Sequence, residues 1–271
     1  MSVTSPLAEF TTGSFARAPK FPAKGFACEQ DFKDFLKVEQ GRLDARYSYE
    51  QSLATREELI VQRGTCAPCL RVTSFSSSTA SGERLKDGRI CPSWRETMQC
   101  GCADQLSNRE RAVLHFVMTT GILPWMKLLL LGGAHAVDRK LAALAGETTA
   151  MRPFSSALAP QSFHMAVSQD YLHHIPHLAM ALEGLCRQLV EGARFIFTVP
   201  FHHSESRSTL LDLSAFAGRV PAEYPGGQHK LGWDLLDMLR QAGFREATAY
   251  LYWSEELGYL GPMNFVFRAV K

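Results

Sequence analysis

The sequence predicts an α/β fold, a three-layer sandwich around a mostly parallel sheet with an antiparallel carboxyl-terminal strand. Three observations predict it. Met126 to Leu131 is apolar apart from Lys127, as expected of a parallel strand buried on both faces. It leads into Gly132-Gly133-Ala134-His135 and a helical pattern from Val137 to Leu144, closed by Gly146. Phe163 to His203 then reads as strand, helix, strand. The apolar run Met165-Ala166-Val167 ends in a polar tip, and Leu178, Ala181, Leu182, Leu185 and Leu189 fall at helical spacing. Glu191-Gly192 turns the chain into Phe195–Val199, which Pro200 stops. Such a unit has a right-handed crossover. Finally, a helix from Trp233 to Gln241, ended by Gly243, precedes two closing strands, Ala247–Trp253 and Asn264–Ala269.

Composition bounds the rest. The chain has 271 residues, 46% hydrophobic and 21% charged, enough for one α/β domain and a smaller module. A formal net charge of +2 gives no broad field for nucleic acid or a membrane surface. The longest apolar run, Ile122 to Gly133, is too short to span a bilayer and contains Lys127. The opening MSVTSPLAEFTTGSF lacks a secretory pattern, so the expected compartment is cytoplasmic. Five of seven cysteines lie between Cys66 and Cys102, which in that compartment favours metal over disulfides.

Taken in order, residues 1–27 are rich in Ser, Thr, Ala and Pro and read as a flexible arm. Residues 28–105 form a helical, cysteine-rich module. Phe32, Phe35, Leu36, Val38 and Leu43 predict one helix, and a second charged helix is expected around Tyr49 to Val61. These helices could pack on the main domain or form a homodimer contact. Cys66-Ala-Pro-Cys69 and Cys100-Gly-Cys102 could supply four thiolates to a structural zinc, with Cys91 as an alternative ligand; isolated buried cysteines are the other reading. Val72–Phe75 reads as a strand between the two pairs. Residues 106–271 form the α/β domain, opening with a helix from about Ser107 to Thr119. Residues 204–230, rich in Ser, Pro and Gly, are an insert at the sheet edge of the kind that covers substrates.

The stretch from Phe163-His164 through Asp170-Tyr171-Leu172-His173-His174-Ile175-Pro176 resembles class I S-adenosylmethionine-dependent methyltransferases, where Asp-Val-Leu-Glu-His-Val-Pro is common. Gly232-Trp233-Asp234-Leu235-Leu236 through Ala242-Gly243-Phe244 resembles that family's last helix and its Ala-Gly-Phe ending. Trp94-Arg95-Glu96, the cysteine pairs and Asn108-Arg109-Glu110-Arg111 resemble the cysteine-rich zinc-binding module of some bacterial members in sugar or natural-product pathways. The resemblance implies a Rossmann-like fold, S-adenosylmethionine bordered by Gly132, Gly133 and Asp170, and methyl transfer to a small molecule. The chain departs from the family at the cofactor loop, with Leu130 and Leu131 in place of an acid and two glycines rather than three. Only thirty-four positions separate Leu131 from Met165, where the family fits two further strands and a helix. Glu147 is the sole candidate for the acid that holds the cofactor ribose.

Five histidines sit at two expected strand ends, His173, His174 and His177, then His202 and His203. His174 or His203 could act as general base, with Asp170 tuning it. Two imidazoles and a carboxylate could also hold a second metal, and plain packing is a third reading. His135 and His229 are further candidates for the same cleft. The leading expectation is methyl transfer on a small-molecule substrate. The alternatives are a methyltransferase-fold enzyme doing elimination, hydrolysis or cyclisation through its His/Asp cluster, or a non-catalytic partner of another pathway protein.

Overall fold

The computed structural model describes residues 18–132, 135–151, 159–211 and 229–271. Its first elements are β1 (Ala23–Phe26), α1 (Glu29–Ser52), β2 (Leu59–Cys66), β3 (Arg71–Ser78), β4 (Glu83–Arg84) and β5 (Ile90–Cys91). Then come α2 (Trp94–Thr97), β6 (Met98–Cys100), α3 (Asn108–Thr120), β7 (Lys127–Leu131), α4 (Asp138–Leu144) and β8 (Glu147–Met151). The chain continues with β9 (Phe163–Gln169), α5 (Leu178–Gln188), β10 (Leu189–Thr198), β11 (Thr209–Leu210) and β12 (His229–Lys230). It closes with α6 (Leu235–Gln241), β13 (Glu246–Ser254) and β14 (Tyr259–Val270).

A seven-stranded sheet in the order β1-β13-β14-β10-β9-β7-β8 forms the centre. The β8, β7, β9 and β10 strands are parallel, while β14 is antiparallel to both β10 and β13. This is the Rossmann-like α/β arrangement that the apolar runs predict. Leu128–Leu131 are all buried because both faces of β7 are covered. One face carries Leu128, Leu130, Met165, Val167 and Ile196 against α3, α4 and the cysteine-bearing segment. The other carries Leu129, Leu131, Ala166, Phe195 and Phe197 against α5, α6 and Phe32 of α1. The crossovers through α4 and α5 leave the centre in opposite directions, so right-handed connections put these helices on opposite faces.

Local chemistry fixes the helix that joins the two halves. The Ser107 hydroxyl accepts from the Glu110 amide at 3.3 Å while Glu110 Oε2 accepts from the Ser107 amide at 3.0 Å, a closed capping box for α3. At its far end Gly121 takes φ +86°, which ends the helix in the left-handed region.

Several expectations are corrected. Residues 23–26 belong to no arm: β1 pairs with β13 at the sheet edge, Phe26↔Ala249 through Ala23↔Tyr252. The expected second helix does not exist; α1 runs unbroken to Ser52, and Leu59–Cys66 is a strand paired with all of β3. The expected border at 105/106 separates nothing, because side chains from both sides of it pack into one core. Fully buried Arg111 of α3 donates to the carbonyls of Leu257 and Gly258, each at 2.7 Å, with its guanidinium 4.2 Å from the Phe75 ring and 5.2 Å from Tyr259. Phe75, Trp94 and Cys100 thereby share that core with Leu128 and Val167. In the insert, β11 pairs with β12, and residues 212–228 lie outside the described residues.

Candidate functional site

From β7 the chain steps through α4 to β8 on one side, then crosses back to β9 on the other. The carboxyl ends of β7 and β9 therefore form the topological switch point where open α/β sheets place ligands. At the end of β7, Gly132 has φ +97°. A Cβ there would lie 2.6 Å from Cβ and Cγ of Tyr171, so the turn is packed directly under that side chain. Gly133 lies outside the described residues.

Beside this turn Asp170 occupies the left-handed region, at φ +44°. Its carboxylate receives a bidentate fork from Arg95 of α2, Nη2 to Oδ1 at 2.7 Å and Nη1 to Oδ2 at 2.8 Å. Arg109 of α3 adds its Nε at 3.2 Å, and also binds Glu96 Oε2 at 3.2 and 3.1 Å. Burial alone would raise the carboxyl pKa, but the charges of Arg95 and Arg109 overrule it and hold Asp170 far below the usual carboxylate range. The residue expected to border a cofactor thus binds the cysteine-bearing segment to the strand ends. Its arginines stand in the Trp-Arg-Glu and Asn-Arg-Glu-Arg runs, to which sequence reasoning gave no role.

Under that ion pair lies a group of buried polar side chains. Gln169, the last residue of β9, is 2% exposed, and both its amide atoms lack a partner among the described residues. The Tyr252 hydroxyl, also buried and unpartnered among those residues, lies within the fields of Arg95, Glu96, Arg109 and Asp170. Nothing in a lone Gln or Tyr codon signals this convergence, which depends on β9 and β13 sharing a face.

The histidines fall into separate groups. His173 and His174 share a 3-10 turn after β9, their ring centroids 3.9 Å apart. Burial, with the nearby His174 second, lowers the pKa of His173 to about 4. His229 joins this side, its Nε2 2.9 Å from the Ile175 carbonyl oxygen. His203 belongs elsewhere: its ring packs 5.7 Å from Phe32 and 6.4 Å from Phe265, and burial lowers its pKa. His135 sits at the start of α4, its amide donating to Asp138 Oδ2 at 3.0 Å. Glu147 opens β8 rather than ending it and pairs with Lys127 at 2.8 Å, which puts it at the opposite end of the strands from the crevice. Among the described residues no acid takes the ribose-holding place.

The cysteine pairs do converge. A 3-10 turn places Cys69 three residues after Cys66, with Leu70 at φ +52°, and β3 brings Cys100 alongside through Phe75↔Cys100. The four sulfurs of Cys66, Cys69, Cys100 and Cys102 lie within 4.8 Å of one another. Zn–S bonds of about 2.3 Å need sulfurs roughly 3.8 Å apart, so this donor set fits a tetrahedral zinc. Hydrogen bonds from Cys66 and Cys69 hold the Cys100 thiol well below its ordinary pKa. Cys91 is not in the cluster; its Sγ points to the Glu50 carbonyl at 3.8 Å.

No family model and no curated protein matches the chain. Among solved structures it is similar to an S-adenosylmethionine-dependent methyltransferase of Archaeoglobus fulgidus, at 12% identity over 60% of this chain and 94% of that one, TM-score 0.40. It is also similar to one of Mesorhizobium loti, at 15% identity over 63% and 99%, TM-score 0.38. At those scores the likeness adds nothing to the strand order, which stands by itself. Among the described residues no helix is long and apolar enough to cross a membrane.

Proposed function

We propose that the chain is an S-adenosylmethionine-dependent methyltransferase acting on a small molecule of a biosynthetic pathway. The observation that carries this reading is the switch point between the carboxyl ends of β7 and β9, with a left-handed glycine after one strand and, at the end of the other, buried Gln169 with no partner among the described residues. Gly132 and the Gln169 amide would hold the donor. When bound, that group supplies an electrophilic methyl. The protein's own task is alignment of the acceptor, with His174 at the same strand end as the proposed proton acceptor and neutral His173 tilted against it. His203, set among aromatic rings, is assigned to packing.

A specific observation favours a second reading, a methyltransferase-fold protein that works without methyl transfer. Tyr171 covers the Gly132 turn, Asp170 is fully engaged by two arginines, and the ribose acid has no counterpart among the described residues. Calorimetry with S-adenosylmethionine and its demethylated product separates the two. Micromolar binding that weakens in Gln169→Leu supports methyl transfer. Silence from both ligands at millimolar concentration, with binding gained in Tyr171→Ala, supports the second reading.

The four-cysteine cluster is proposed as a structural zinc site. Metal analysis of the purified protein is expected to find one zinc per chain and far less in Cys69→Ser. A metal-free protein of unchanged stability would refute it.

A further inference from the structure

Between α1 and the β1–β13 edge of the sheet lies a cleft of about 420 Å³, well away from the β7–β9 crevice. Three strands stand between β13 and β7 in the sheet, so at roughly 4.8 Å per step the two sites are nearly 20 Å apart. The volume is that of a small-molecule site. Its walls are aromatic, Phe35 on one side and Trp253 on the other, and four cations converge on it: Lys20, Lys24, Arg42 and Arg46.

These charges are poorly compensated. Among the described residues Glu39 is the only acid of the lining, 3.7 Å from Arg42, and Glu50 outside the lining acts on Arg46. Lys20 and Lys24 are exposed and have no ion pair among the described residues. Arg46 lies over the Trp253 ring at 4.9 Å, which orients its guanidinium without neutralising it. Burial, then the neighbouring Arg42, lowers the Arg46 pKa, so the folded protein holds this cation at a cost that a bound anion would remove. Four cations face one carboxylate of the lining and the buried Glu50 behind Trp253, a local positive excess in a chain whose whole formal charge is +2.

We infer that this cleft binds a phosphate-bearing small molecule, with its anionic group on Lys24, Arg42 and Arg46 and its organic body between Phe35 and Trp253. Two arginine forks suit the oxygens of a phosphate, and the aromatic walls suit a flat or apolar body. The site goes beyond the methyltransferase reading and does not depend on it.

The test is calorimetric titration at about 20 mM salt, where screening is weak. Inorganic pyrophosphate is the probe, citrate the comparison. Pyrophosphate is expected to bind, and the Lys24→Gln/Arg42→Gln double variant to weaken that binding at least about tenfold. Both residues are exposed, so circular dichroism should show an unchanged fold. Lys86→Gln, on a different surface, should leave binding as it was. No heat from pyrophosphate, stronger binding of citrate, or equal weakening by Lys86→Gln would each overturn the inference.

Discussion

Asp170 is where a single residue carries most. Its folded pKa is depressed, so the stability it contributes is present above its unfolded value near 4 and is lost as the pH falls through and below it. Asp170→Asn leaves two arginines facing a neutral group in a largely buried place and should cost about 3–5 kcal/mol at neutral pH, measured by urea unfolding. The variant should also show a flatter stability profile below about pH 4 than the parent. His173 works over a different window. It is neutral in the folded protein down to about pH 4 but titrates near 6.5 when unfolded, so between those values the unfolded state binds the extra proton. Stability should fall on acidification there, with a slope approaching about 1.4 kcal/mol per pH unit, and His173→Asn should flatten that segment. The sequence places Asp170 and the histidine pair at a strand end. It does not reveal that Asp170 is spoken for, because Arg95 and Arg109 approach from elements 75 and 61 positions away in the chain.

The elements divide by how local their causes are. β7, β9, α5 and β10 were legible because apolar periodicity and glycine turns are written within each segment. α3 was legible from its buried side, and its capping box explains its start. β2 was not. Leu59 and Val61 are exposed while Ile60 is buried, an alternation that makes sense only once β3 lies alongside. The hairpin of β2 and β3 in turn depends on distant backbone: the Thr65 amide donates to the Glu256 carbonyl at 2.8 Å, and Gly258, at φ +62°, packs on Phe75. Gly258→Ala meets both a strained φ and the Phe75 ring at 2.6 Å, so a loss of about 1–3 kcal/mol is expected in thermal or urea unfolding. In Arg111→Leu, carbonyls of Leu257 and Gly258 lose their donor inside the core. A loss of at least about 2 kcal/mol should follow, readable as a lowered urea midpoint.

For the whole molecule, the sheet order was readable as a class but not at its edges. The shortened stretch after Leu131 does yield a single described strand, β8, on that side. The opposite edge is closed by β1, four residues that composition assigns to an arm, because an edge strand needs only backbone hydrogen bonds and one anchor. Here the anchors are Phe21 and Phe26, 6% and 1% exposed. A chain starting at Glu29 should lose about 3–5 kcal/mol, from two phenylalanines at roughly 2 kcal/mol each, measured against the full chain by urea unfolding. That same strand has a consequence for the order of events during synthesis. Residues 23–26 find their partners at 249–252, and Arg111 finds its carbonyls at 257 and 258. Neither the first strand nor the core beneath the cysteine cluster can be completed until almost the whole described chain has left the ribosome. With contacts this long in sequence, folding is expected to be slow and to come after translation rather than during it.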